Sequence, residues 1–132
     1  MAYIISKEDF DAVNTMCKKH RDITLVGDQY LIRPFKDWFD FLKEGDALHH
    51  FVYHYAVSRY SKGEDFLFVM RRIEKPEIPY ITLEFGASGN LRHARTEYCR
   101  EITESDQYAF IQRFIDEVLI PHVNNEQSKE SE

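Results

Sequence analysis

From Asp65 onward the chain changes its residue pattern. Three runs rich in strand formers, DFLFVMRRIE, IPYITLEF and LRHARTEYCREI, follow one another with only short connections. Pro76 closes the first run, and GASGN, with two glycines, separates the second from the third. Strands joined this closely pair antiparallel with their neighbours, because a parallel return needs a long crossover. Residues 65–102 therefore predict a three-stranded antiparallel meander. In the middle strand, Ile81, Leu83 and Phe85 alternate with Tyr80, Thr82 and Glu84, so the two sets belong to opposite sheet faces.

The segments around the meander read as helices and one short hairpin. Ser6, with Asp9 three residues on, predicts an N-cap and a helix over about 7–20, with Phe10, Val13, Met16 and Cys17 at helical spacing. ITLVGDQYLIRP predicts two short strands reversing at Gly27-Asp28, the second stopped by Pro34. FKDWFDFLKEG predicts an amphipathic helix ending near Gly45, with Asp46 placed to cap the next. That next helix runs to Gly63, with Leu48, Phe51, Val52, Tyr55 and Ala56 as its core stripe. A final helix is expected from an N-cap at Thr103, with Tyr108, Ile111, Ile115, Val118 and Leu119 inward and Pro121 as its end. The sum is an α+β domain over residues 1–123, about four helices on an antiparallel sheet, followed by a polar tail at 124–132.

Charge and cysteines narrow the function classes. Seventeen basic against 23 acidic residues give a net charge of −6. That balance disfavours gripping a nucleic-acid backbone, although Arg71, Arg72, Arg92, Arg95 and Arg100 leave room for a local basic strip. Cys17 and Cys99 lack metal or redox spacing, which suits reduced thiols. The absence of a signal-like start or a long apolar run predicts a cytoplasmic chain with no membrane partner. No P-loop, GxGxxG or GxSxG occurs, so no cofactor is expected.

Two constellations invite chemistry. LHHFVYHY, residues 48–55, places His50 and His54 four apart, so that a helix would put both on one face. The HExxH zinc motif needs a glutamate after its first histidine, and Phe51 stands there. His20, His93 and His122 are remote as further ligands, so no metal site is expected and the histidines read as flanking a buried stripe. The second constellation is a sheet face. With Glu84 opposite Leu91, one face carries Tyr80, Thr82, Glu84, His93 and Arg95. A carboxylate beside His and Arg suits acid–base or anion-binding work. The plainer reading is a solvated outer face with cross-strand charge pairs. Aromatic FKDWFDF reads as core, and the Arg71-Arg72 pair as one arginine on each sheet face.

Residues 29–118 also resemble the C-terminal region of PcfJ-like proteins of conjugative plasmids, phages and related mobile elements. YLIRPFKDWFDFLKEGDALHHFV is similar to that family's strand, helix and LHHCV block. SKGEDFLFVMRRIEKPEIPYITLEF is similar to its GE…ILFIRR…KPYYTLE core, and LRHAR to a following strand. His49, His50, Tyr55, Gly63, Arg71, Pro79, Tyr80, Thr82, Glu84 and Arg95 match. Phe51 stands in place of cysteine, Tyr53 of a frequent glycine, His93 of glutamine, Thr96 of glycine and Cys99 of asparagine. The chain looks like a stand-alone version of the family's last domain. The resemblance implies an accessory factor working through protein contacts and brings no reaction with it. Three readings follow. The first is a non-enzymatic interaction module with a protein partner, its binding residues drawn from Arg71, Tyr80, Thr82, Glu84, His93 and Arg95. The second is an enzyme acting on nucleic acid or nucleotide through His50, Tyr80, Glu84, His93 and Arg95. The third is an acidic inhibitor of a nucleic-acid-binding host defence protein. Oligomeric state is left open.

Overall fold

A computed structural model describes residues 4–50 and 52–130. The meander forms as β3 (Asp65–Arg72), β4 (Ile81–Gly86) and β5 (Leu91–Arg95). The hairpin β1 (Leu25–Val26) and β2 (Tyr30–Pro34) extends it, because β2 pairs with β3 from Tyr30↔Arg72 to Pro34↔Phe68. One five-stranded antiparallel sheet results, in the order β1-β2-β3-β4-β5.

Helices cover both sheet faces. On one side lie α1 (Lys7–His20), α2 (Trp38–Leu48) and α3 (Val52–Ser58), whose Val13, Cys17, Trp38, Phe41 and Val52 pack on Leu67 and Val69. On the other, α4 (Ser105–Phe114) and α5 (Ile120–Glu130) bring Ile111, Phe114 and Val123 onto Phe68, Met70, Ile81, Leu83 and Phe85. A strand covered on both faces has no solvent side to mark with polar residues, which explains the unbroken apolar run Phe66–Met70. Among the described residues, no helix is long and apolar enough to cross a membrane.

Four sequence expectations need correction. The first concerns α2, which does not stop at Gly45 but runs to Leu48, with Asp46 inside it and His49 as a left-handed C-cap (φ 54°). Gly45 is there for close approach: a Cβ would lie 2.9 Å from the Tyr53 ring and from the His50 carbonyl oxygen. The expected continuous helix over 47–63 is therefore interrupted at His49 and His50. Its core residues are Leu48, Val52, Tyr53 and Ala56, while Tyr55, expected inside, is 37% exposed. Phe51 lies outside the described residues.

The second correction is at α4, where Glu104 rather than Thr103 is the N-cap and the Gln107 side chain accepts from its N–H at 3.1 Å. Third, Pro121 does not end the last helix. A π turn over Ile115–Leu119 precedes it. One widened turn re-spaces the carbonyls that a proline ring would otherwise strike, and the helix continues to Glu130. Residues 124–130, expected as a polar tail, are thus helical.

The fourth is the hairpin register. Glu84 opposes His93 and Thr82 opposes Arg95, with a bulge between Glu84 and Phe85 that places Phe85 opposite Leu91. Beyond the bulge the difference from the expected pairing of Glu84 with Leu91 is two residues, so Thr82, Glu84, His93 and Arg95 keep one face, while Leu91 moves to the other, opposite Phe85. Tyr80 lies before β4 and its ring turns to the other side, stacked with Tyr30 at 6.1 Å and under Arg72 at 4.0 Å.

Both sheet edges are short or covered. β1 has two residues, and beside β5 the Ile102 N–H donates to the Ala94 carbonyl while Thr96 N–H donates to that of Arg100.

Candidate functional site

The face of β3–β5 turned toward α2 and α3 holds two polar clusters. The deeper one begins with Glu44 and Arg71, 0% and 1% exposed. Arg71 Nη2 donates to Glu44 Oε1 at 2.6 Å and Nη1 to Oε2 at 3.2 Å, a two-pronged pair. Burial pushes the Glu44 carboxyl up and Arg71 opposes it. Both carboxylate oxygens face guanidinium donors, which leaves no place for a proton.

Thr82 extends this pair. Its hydroxyl donates to Glu44 Oε2 at 2.8 Å, and that bond uses its single hydrogen. His50 Nε2, 2.8 Å from the same hydroxyl, must then be the protonated nitrogen and donates to it. Nδ1 is left as acceptor and takes the Val52 N–H at 3.4 Å, at the first turn of α3. Burial, aided by the Arg95 charge, pushes the His50 imidazole down to about 4. His50 is thus a neutral ring with both nitrogens engaged, at the core rather than at the margin expected from the sequence.

The shallower cluster surrounds Glu84. Arg59 Nη1 donates to its Oε2 at 3.4 Å, and His93 Nε2 lies 3.7 Å from Oε1. Arg95 donates to His93 Nδ1 at 2.9 Å and to Glu101 Oε1 at 3.2 Å. Below Glu84 lies Asp65, 1% exposed, whose two carboxyl oxygens have no hydrogen-bond partner among the described residues. Burial, reinforced by neighbouring Glu84, pushes the Asp65 carboxyl up to about 8.

His50, Thr82, Glu84, His93 and Arg95 line a cavity of about 80 Å³ with Val52, Tyr55, Leu67 and Cys99. The 3₁₀ turn Glu97–Cys99 borders it, and Tyr98 there stacks on His49 with ring centroids 4.6 Å apart. His49, Tyr98 and Cys99 all adopt positive φ, at 54°, 59° and 60°. Small-molecule sites usually span about 300–1,000 Å³. This cavity has room for a single small side chain.

Of the residues singled out in the sequence, the structure joins His50, Arg71 and Thr82 in one network and Glu84, His93 and Arg95 in the other. Tyr80 belongs to neither. The Thr82–Glu84 face is covered by helices, not solvated as expected. His54 is exposed on α3 while His50 precedes that helix, so the two do not share a helix face. Among the described residues no group of three or more His, Cys, Asp or Glu could hold a metal ion. Sequence reasoning missed Glu44, Arg59 and Asp65. The first left a signal: with Phe41 and Leu48 it falls on the buried stripe of α2, an apolar position holding an acid. Asp65 left another, sharing the face of Leu67 and Val69 by strand alternation.

No curated protein and no solved structure matches the chain. A family model described as PcfJ-like protein matches residues 5–110, a span that takes in both polar clusters and every strand; the chain belongs to the PcfJ-like family.

Proposed function

We propose that this chain is a non-enzymatic accessory module of a mobile genetic element and acts through a protein partner. The observation that carries this reading is the engagement of the polar residues with one another. His50, the natural general base, has one nitrogen donating to Thr82 and the other accepting from Val52. His50, Glu84 and Arg95 do converge on one cavity, the geometry an enzyme would need. At about 80 Å³ that cavity is too small for a nucleotide. The inhibitor reading requires a concentrated acidic face. Instead, acids alternate with bases in Lys7–Asp11, Arg33–Asp40, Arg113–Glu117 and Lys129–Glu126.

The test is affinity capture of the full chain from a host carrying the element, beside an assay of the purified chain for hydrolysis of nucleic acid and nucleotides. A reproducible protein partner without turnover is the expected result. Turnover abolished by His50→Gln, with no partner recovered, overturns the reading.

A further inference from the structure

Charges around the Glu84 cavity are sorted by depth. The Glu84 side chain is 6% exposed, whereas Arg59 is 45%, His93 42% and Arg95 30% exposed. The carboxylate lies beneath its own counter-ions, and the outward face is guanidinium and imidazole. Arg92 adds to the same side, its Nε 3.1 Å from the place a Cβ on Gly86 would take. Glu101, bound to Arg95, is an exposed acid here, and Glu97 in the bordering 3₁₀ turn is another. A chain of net charge −6 thus carries a local cationic mouth. Below it one side of the cavity is apolar, formed by Val52, Leu67 and the Tyr55 ring, over which Arg59 lies at 5.4 Å, while His50, Thr82 and Glu84 line the rest.

Cationic rim and aliphatic walls together specify an occupant with a carboxylate beside a small apolar group. We propose that this mouth, on the protein-partner reading above, takes an acidic peptide segment, with one aliphatic side chain between Val52, Leu67 and Tyr55 and an adjacent carboxylate against Arg59 and Arg95. A nucleic-acid strand fits less well. Its affinity comes from many phosphates neutralised in succession, and beyond this mouth the acidic excess of the chain repels a polyanion. A peptide needs complementarity at one point only, and exposed Tyr55 and Tyr98 supply the aromatic contacts that anchor such segments.

The experiment selects a random heptapeptide display library on the full chain. Enriched peptides and a labelled fifteen-residue oligothymidylate are then titrated by fluorescence anisotropy. The proteins are the natural chain, Arg59→Gln, Arg95→Gln, Arg95→Lys and, as a control elsewhere, Phe39→Ser. Enriched peptides should pair Asp or Glu with an aliphatic residue and weaken with salt. Each glutamine variant should lose at least tenfold in affinity with its melting temperature kept, Arg95→Lys should recover part of it, and Phe39→Ser should bind normally. If Arg95→Gln fails to fold, Arg59→Gln carries the test. Enrichment of peptides lacking an acid, or acidic peptides that bind both glutamine variants normally, overturns the proposal. No enrichment at all overturns it as well. A host partner captured equally by the natural chain and both glutamine variants leaves the broader reading standing while this site fails. Oligothymidylate binding that the arginine variants abolish overturns both.

Discussion

Asp65→Asn should remove the alkaline decline in the stability of this fold. Asp65 is buried with neither carboxyl oxygen hydrogen-bonded among the described residues, and its pKa is pushed up to about 8 by burial and then by Glu84. An unfolded aspartate titrates near about 3.9. Between those values the native state holds a proton that the unfolded chain has lost, so stability falls as pH rises. The slope is about 1.4 kcal/mol per pH unit, or roughly 2 kcal/mol from pH 6.5 to 8. On the acid side the sign reverses. His20 and His50, both pushed down to about 4 by burial, are neutral in the native state, and protonation of the unfolded chain withdraws their contribution as pH falls from about 6.5 toward 4. Two such groups outweigh the single carboxyl, which places the stability maximum near pH 6.5. Urea titrations at intervals from pH 5 to 8.5 measure this curve. The natural chain should lose about 2 kcal/mol between pH 6.5 and 8, whereas Asp65→Asn should be flat there and, with the opposing carboxyl gone, fall about twice as steeply on the acid side. A natural chain that is flat above pH 6.5, or a variant with the same decline, refutes the assignment of the buried proton to Asp65.

Glu44→Ala strands the Arg71 guanidinium in the core and frees the Thr82 hydroxyl, so urea titration should find a loss of about 3–5 kcal/mol. Arg71→Met with Glu44→Leu should recover most of it, since an apolar pair leaves no buried charge alone. Gly45→Ala improves intrinsic helix propensity yet drives a methyl to 2.9 Å from the Tyr53 ring, and a loss of more than about 1 kcal/mol in place of the usual gain is expected. Cys99→Asn should stabilise by about 0.5–1 kcal/mol, because asparagine tolerates the left-handed backbone held there at φ 60°. Thermal melts at pH 6.5 check both.

What the sequence made legible depended on periodicity. The three strands, their antiparallel order and the first helix could be read because alternation, turn residues and the Ser6 cap act locally. The shared face of Thr82, Glu84, His93 and Arg95 survived a two-residue error in register, since alternation has period two and the turn and the bulge at Arg92 each contributed one residue. The failures arose where tertiary packing decides. LHHFVYHY has helical spacing throughout, but close packing of Gly45 against Tyr53 turns the chain at His49, and that turn carries His50 inward to Thr82. Pro121 reads as a stop until a widened turn upstream is known. Glu44 and Asp65 stand at apolar positions of their helix and strand, a signal that periodicity offered and that gains its meaning once helices cover both sides of the sheet. The two-core arrangement left no sequence mark except the continuous apolar stretch in β3.

The margins of the sheet restrict how anything can attach to it. At one margin β1 offers only Leu25 and Val26, and at the other the segment around Ile102 already occupies β5 main-chain positions. An incoming polypeptide finds little open ladder to continue, so annealing of a foreign strand and runaway self-association are both discouraged. Recognition is thereby left to side chains and to the shapes they enclose, where a single charge reversal can decide which companion is accepted.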